Sequence, residues 1–265
     1  MAHPRTAGVS GVDSHFAGNG PFSRLAYFVV RSMVATATRL YTGMRIEGRH
    51  HLPRSGAYVL APVHRSYVDT PIACCVTRRR LRYMGKDTLW TRRWSGWLLS
   101  SLGGFPVSRG TADREALKRC VAVLEGGEPL VLFPEGERKS GPIVQPLFDG
   151  AVYVALRARV PIVPVGIGGS ERVMPKGARF IYPRRVRVII GEPIRPSMPT
   201  DSKRIPRSAV QDASAELHAR LQELFDAAQQ AVGQLDPSRS APVGPKPALD
   251  GPAGGSELDQ DGQLQ

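Results

Sequence analysis

Residues 57–71 read Ala57-Tyr58-Val59-Leu60-Ala61-Pro62-Val63-His64-Arg65-Ser66-Tyr67-Val68-Asp69-Thr70-Pro71. The apolar run 57–63 describes a short strand buried on both faces, and it ends at a histidine. Asp69 and Thr70 then offer side-chain oxygens to cap a helix, and Pro71 has the fixed φ that suits a first turn. Strand followed directly by helix is the repeating unit of an α/β fold. The alternation recurs downstream. Residues 81–84 suggest a strand. In 114–125, Leu117, Cys120, Val121 and Leu124 fall at i, i+3, i+4 and i+7, with Gly126-Gly127 closing the helix. The strand 129–133 runs into Pro134-Glu135-Gly136; a helix over 150–159 precedes a strand over 162–167; a strand over 186–190 and a long helix over 208–232 follow. The expected architecture is α/β, a mixed, mostly parallel sheet flanked by helices. Reactive groups in such sheets gather beyond the carboxyl ends of the strands, where His64 and Glu135 fall.

Composition sets the limits of this domain. The 265-residue chain can bury one full core in a single domain expected over 46–232. Residues 1–20, rich in Gly, Ala and Ser, read as a flexible leader. Residues 233–265, with Pro237, Pro242, Pro245, Pro247 and Pro252 among polar residues, read as a disordered tail. Residues 21–45 hold an amphipathic helix with Leu25, Phe28, Val29, Met33 and Leu40 between Arg24, Arg31 and Arg39. It suits either a membrane surface or the protein's own core. Arg31 and Arg39 interrupt its apolar run, so no stretch is long enough to span a bilayer. Three cysteines, Cys74, Cys75 and Cys120, make no disulfide framework and point to a reducing, cytoplasmic setting.

The formal charge of +13 draws the chain to polyanions: nucleic acid, an anionic bilayer or phosphorylated small molecules. Residues 65–119 carry twelve basic residues against four acids, so the positive field sits on the folded part. All three tryptophans, Trp90, Trp94 and Trp97, lie beside Arg92 and Arg93. Trp with Arg favours the headgroup layer of a membrane; core packing is the competing reading. The chain shows no recognition helix, aromatic RNA-binding block or zinc pattern, so no nucleic-acid partner is expected. The Gly-x-Ser-x-Gly elbow of esterases is absent.

Three clusters carry chemistry. His64 and Asp69 could pair as a general base and its orienting carboxylate, or could simply cap a turn. Phe133-Pro134-Glu135-Gly136-Glu137-Arg138-Lys139 is a strand-to-turn segment where glycine admits a ligand close to the backbone and a basic pair could hold phosphate. Gly103-Gly104-Phe105-Pro106-Val107-Ser108-Arg109 could present a fixed guanidinium.

The order and spacing of these clusters resemble the glycerolipid acyltransferase family, the lysophosphatidic acid (1-acylglycerol-3-phosphate) acyltransferases and their relatives. The family's Asn-His-x-Ser-x-x-Asp block is matched by 63–69, its block of a Gly, a few residues and then Phe-Ile-x-Arg by Gly104-Phe105-Pro106-Val107-Ser108-Arg109, its Phe-Pro-Glu-Gly-Thr-Arg-Ser block by 133–139, and its Val-Pro-Ile-Val-Pro-Val block by 160–165. Val63 replaces the usual Asn, and Glu137 and Lys139 replace Thr and Ser, a change that bears on which acceptor is used.

The resemblance implies that His64 is the general base and Asp69 orients it. Lys86, Arg109 and Arg138 would bind the acceptor's phosphate. Glu135 and Gly136 would shape the acceptor pocket, Glu135 either accepting a glycerol hydroxyl or holding an arginine. Ser66, Phe105 and Pro164 would help shape the acyl and acceptor pockets. It further implies transfer of a fatty acyl group from acyl-CoA or acyl carrier protein to the sn-2 hydroxyl of 1-acylglycerol-3-phosphate, giving phosphatidic acid. No metal or bound cofactor is expected, and the setting would be the cytoplasmic face of the cell membrane, peripherally attached. Another lysolipid or a glycolipid alcohol is the alternative acceptor, and a basic nucleic-acid- or lipid-binding protein without catalysis is the alternative class. Prior acylation of Ser66 is a rival mechanism that its position, two residues from His64 across a turn, disfavours.

Overall fold

The strand expected around Val59 lies near the middle of a seven-stranded sheet. The computed structural model describes residues 20–107, 114–175, 177–196 and 204–234. Nearly all of the expected leader and of the expected tail therefore lie outside the described residues. In chain order the strands are β1 (Arg45–Glu47), β2 (Val59–Pro62), β3 (Arg82–Lys86), β4 (Gly104–Val107), β5 (Leu130–Val131), β6 (Ile162–Gly168) and β7 (Arg187–Ile190). The helices are α1 (Pro21–Thr42), α2 (Asp69–Cys74), α3 (Arg93–Ser101), α4 (Arg114–Glu125), α5 (Gly150–Ala158), α6 (Ser170–Val173) and α7 (Arg207–Gln230). The spatial order is β1-β7-β6-β2-β5-β3-β4, and every pair is parallel except β6 with β7. The fold is the expected mixed, mostly parallel sheet flanked by helices.

Two strands left no clear sequence signal, for physical reasons. β1 is a three-residue edge strand with two exposed charged residues, too short to show an alternation. β4 contains Gly104 and Pro106, residues that strands usually avoid. Proline is tolerated there because β4 is the other edge, where a missing N–H costs no ladder bond.

Close approach of α7 fixes the opposite half of the sheet. The helix buries a stripe of Val210, Ala213, Leu217, Leu221, Phe225 and Ala228 against β6 and β7. Gly166 and Gly168 let its backbone touch the sheet: a Cβ on Gly166 would lie 2.2 Å from the Leu224 carbonyl oxygen, and one on Gly168 equally close to that of Ala228. Gln229 completes the contact by accepting the Gly169 N–H at 3.0 Å.

Of the two packings left open for the first helix, burial of its apolar residues in the protein's own core is not the one found. Its inward stripe is polar or amphipathic: Ser23 meets Ser101 at 3.0 Å, and Arg31 donates to the Thr77 carbonyl at 2.9 Å. The Tyr27 hydroxyl takes the Leu81 N–H at 3.2 Å and is buried, which pushes its pKa up to about 12. The apolar side chains Phe22, Leu25, Val29, Met33 and Leu40 all point away from the body. Gly43, in the left-handed conformation, ends the helix and turns the chain into β1. Among the described residues, no helix is long and apolar enough to cross a membrane.

The contact of α7 with β6 yields a testable consequence. Gly166→Ala must push α7 off the sheet and should destabilise the protein by about 1–3 kcal/mol or more, as overpacked cores do. Gly150→Ala, where the added carbon meets only Leu117 at 3.5 Å, should leave the midpoint of thermal unfolding nearly unchanged or raise it slightly.

Candidate active site

β2 and β5 are neighbours in parallel register, with Val59 opposite Leu130 and Leu60 opposite Val131. Their carboxyl ends therefore deliver residues 63–69 and 133–139 to the same edge of the sheet. Two further backbone bonds carry the alignment past the strands: the Val63 N–H donates to the Val165 carbonyl at 3.1 Å and Leu132 N–H to Leu60 at 3.0 Å.

After Val63 the chain turns tightly, and the Asp69 carboxylate holds the turn closed. Its Oδ2 accepts three hydrogen bonds: from His64 Nδ1 at 3.0 Å, and from the Arg65 and Ser66 N–H groups at 2.6 Å each. Asp69 is fully buried, whereas the His64 side chain keeps 15% of its surface exposed and stacks on Phe133 with ring centres 4.0 Å apart. A carboxylate only accepts, so Nδ1 carries the proton and Nε2 keeps its lone pair. Asp69 is the first residue of α2, whose N-cap is Val68 with no side-chain cap bond, so its carboxylate ties the preceding turn instead of capping the helix, and the same oxygen orients the imidazole. His64 is thereby equipped to take a proton from a hydroxyl.

The second strand end supplies a buried counter-charge. Glu135 has no exposed surface, and Arg65 Nη1 lies 2.8 Å from its Oε1 and 2.6 Å from its Oε2. The remaining lone pairs take the His64 N–H at 3.1 Å and the Gln145 N–H at 3.0 Å. The Arg65 guanidinium also donates to the carbonyls of Gly141 and Ile143 and sits 4.8 Å from the centre of the Phe225 ring. Of the two roles offered for Glu135, holding an arginine matches the geometry, and both of its oxygens are bonded within the protein. Arg65 was not singled out in the sequence. The signal available was the pairing of opposite charges just beyond two buried strands, but only the sheet order makes those strands neighbours.

Gly136 has φ of 70°, and a Cβ there would lie 2.7 Å from the Phe148 ring, so this turn requires glycine on both counts. Arg138 rests its guanidinium carbon 3.3 Å above the Tyr67 ring centre, and Tyr67 is half exposed. This cation–π contact holds a positive group beside the His64 turn. The backbone is tied again where the Lys139 N–H donates to the His64 carbonyl at 2.9 Å.

The other expected site residues separate. Lys86 closes β3 opposite Val107 of β4, on the same sheet edge as His64. Arg109 lies outside the described residues. Phe105 is fully buried in the core cluster. Ser66 is likewise a structural residue, buried, with its hydroxyl donating to the Met174 carbonyl at 2.9 Å. That bond leaves Ser66 poorly placed as a nucleophile. Pro164 is buried within β6 opposite Ala61, so it supports β2 from the side and lines no open surface.

The tryptophan cluster also divides. Trp90 is a packing residue, not a surface one: its indole N–H donates to Ser100 Oγ at 3.0 Å, and its ring fills the space over Gly85 and Gly104. Trp94 and Trp97 on α3 are 64% and 54% exposed, with Arg92 and Arg93 exposed beside them. Cys74, Cys75 and Cys120 are all free thiols, and burial pushes the Cys120 thiol up to about 12.

Comparison with known proteins places this arrangement. The Acyltransferase family model matches residues 43–168, which contain His64, Asp69, Arg65 and Glu135. A 1-acyl-sn-glycerol-3-phosphate acyltransferase of Bacillus subtilis is 29% identical over 153 residues, covering 57% of this chain and 74% of that protein. The Streptococcus pneumoniae protein of the same name is 29% identical over 175 residues, covering 65% of this chain and 62% of its own length. A bovine 1-acyl-sn-glycerol-3-phosphate acyltransferase alpha is 30% identical over 178 residues, 63% of this chain and 59% of that one. The crystal structure of the LPA acyltransferase PlsC from Thermotoga maritima superposes with a TM-score of 0.62 at 21% identity, covering 80% of this chain and 90% of that one, a likeness of fold. The ordered blocks, the matched model and the shared sheet agree: over residues 43–168 this chain is similar to the acyltransferase family.

Proposed function

We propose that the protein transfers a fatty acyl group from a thioester carrier, acyl-CoA or acyl carrier protein, to the sn-2 hydroxyl of 1-acylglycerol-3-phosphate, giving phosphatidic acid. The observation that carries the reading is the Nδ1 bond from His64 to buried Asp69, which leaves Nε2 free on the one partly exposed member of the pair. Nε2 takes the proton of the acceptor hydroxyl as its oxygen attacks the thioester carbonyl. The C–O bond forms, the C–S bond breaks, and the imidazolium returns the proton to the departing thiolate. Asp69 stabilises the imidazolium while it exists. Proton and acyl group are both accounted for by the two substrates and the pair, so the reading draws on no bound metal or cofactor.

Arg138, steadied on Tyr67, is assigned to the acceptor's phosphate, with Lys86 and Arg109 as further cations; the relatives' names support that acceptor. Work at a membrane surface is supported by the outward apolar face of α1, by exposed Trp94 and Trp97, and by the charge of +13. The three free thiols favour the reducing, cytoplasmic side of that membrane.

Three experiments test the reading. His64→Ala should lower turnover by about 10²–10⁴-fold in an assay of thiol release from acyl-CoA, and Asp69→Asn should also cut it severely; near-normal turnover in the first would remove His64 as the base. Glu135→Gln strands a buried guanidinium and should lower stability by about 3–5 kcal/mol in thermal unfolding. An unchanged melting point with a raised KM for acceptor would instead make Glu135 a substrate ligand. Across an acceptor panel, 1-acylglycerol-3-phosphate should outpace lysophosphatidylcholine and monoacylglycerol, and Arg138→Ala should erode that preference by about tenfold or more, the loss expected for a hydrogen bond to a charged group. Equal rates on the uncharged monoacylglycerol would refute the assignment of the acceptor.

A further inference from the structure

Between α6 and β7 the chain reads Arg179-Phe180-Ile181-Tyr182-Pro183-Arg184-Arg185, and all seven residues are exposed. Phe180 shows 73% of its surface, more than any ordinary loop aromatic needs to, with Ile181 and Tyr182 exposed beside it. Yet the backbone is pinned. The Tyr182 N–H donates to the Val173 carbonyl at 2.7 Å, and Arg184 N–H to Tyr182 at 2.9 Å. The Ile181 carbonyl accepts the Tyr41 hydroxyl at 2.7 Å, and the Val186 N–H reaches the Thr42 carbonyl at 3.3 Å. The apolar side chains are therefore presented outward from a fixed frame.

Charge and continuity identify what they meet. Between Glu171 and Glu192 the sequence has no acid and six basic residues. Phe, Ile and Tyr flanked by arginines match the headgroup layer of an anionic bilayer, where rings and aliphatic groups sit among acyl chain ends and guanidinium groups meet lipid phosphate. The two bonds to Tyr41 and Thr42 join this loop to the carboxyl end of α1, whose exposed Leu40 continues the apolar surface. Five residues before this loop, the Met174 carbonyl accepts the Ser66 hydroxyl of the His64 turn at 2.9 Å.

We infer that residues 179–185 form a second bilayer contact, separate from the tryptophans of α3, which binds anionic lipid and seats the His64 turn at headgroup depth. This rests on the reading that the protein works at a membrane surface. The proposed lipid contact at Phe180 then lies six residues along the chain from Met174, which the Ser66 hydroxyl bonds.

Flotation of the full chain with phosphatidylcholine vesicles, with and without phosphatidylglycerol, tests it. Phe180→Ser with Ile181→Ser should weaken partitioning to the mixed vesicles by about tenfold or more, from the apolar area no longer buried. Arg184→Gln with Arg185→Gln should cost about thirtyfold on mixed vesicles at low salt and little on phosphatidylcholine alone. Both variants should melt within about 2 °C of the parent, as expected for changes confined to exposed side chains. Parental binding by both variants, alongside release by Leu25→Ser with Met33→Ser, would overturn the loop's role and leave membrane attachment by α1 standing. Failure of the parent to float would remove both. Unaltered flotation with loss of self-association in sedimentation would make the loop a contact between copies of the chain.

Discussion

The arrangement of this site depends on a buried ion pair, Arg65 with Glu135. Two charges removed from water cost several kcal/mol each unless they are paired and their remaining donors and acceptors are filled. Here they are filled: the carboxylate takes two backbone N–H groups besides the guanidinium, and the guanidinium takes carbonyls from Gly141 and Ile143. The pair thus acts as a clamp between the loops that follow β2 and β5. Because each charge would be stranded by movement of the other loop, the two loops keep one relative position. Phe225 of α7, against the face of Arg65, connects the clamp to the helix that closes on β6.

Within that frame the His64–Asp69 pair needs only short-range bonds. Asp69 is five residues from His64 and accepts from the imidazole and from the two backbone N–H groups between them. A carboxylate so occupied is held in one orientation, and it presents the imidazole with one nitrogen committed and the other free. The histidine stacks on Phe133, which precedes the clamp's own glutamate by two residues, so the imidazole is held by both strand ends at once.

The outer surface inverts the usual pattern, which is the ground for the proposed work at a membrane. α1 is anchored through serine, tyrosine and arginine and turns its leucine, valine, methionine and phenylalanine outward. A helix in water gains nothing from such an orientation; next to acyl chains it gains the burial of that face. The loop at Phe180 and the exposed tryptophans of α3 add to the same apolar, arginine-rich exterior.

The local order of elements was legible from sequence because periodicity, capping residues and glycine stops act over a few residues. That information marked α4, α5, α7 and the central strands, and it set His64 and Asp69 across one strand-to-helix turn. Spacing of the four blocks also pointed to the family. Pairings that cross the sheet were different. That β2 and β5 are neighbours, and so that Arg65 meets Glu135, follows from strand order, which no local pattern encodes. Hydrophobic character likewise said that Phe105, Trp90 and the apolar residues of α1 would contact something apolar, without saying what. The tertiary structure put Phe105 in the core, packed Trp90 onto two glycines and left α1 facing outward, since burial depends on which surfaces the whole chain brings together.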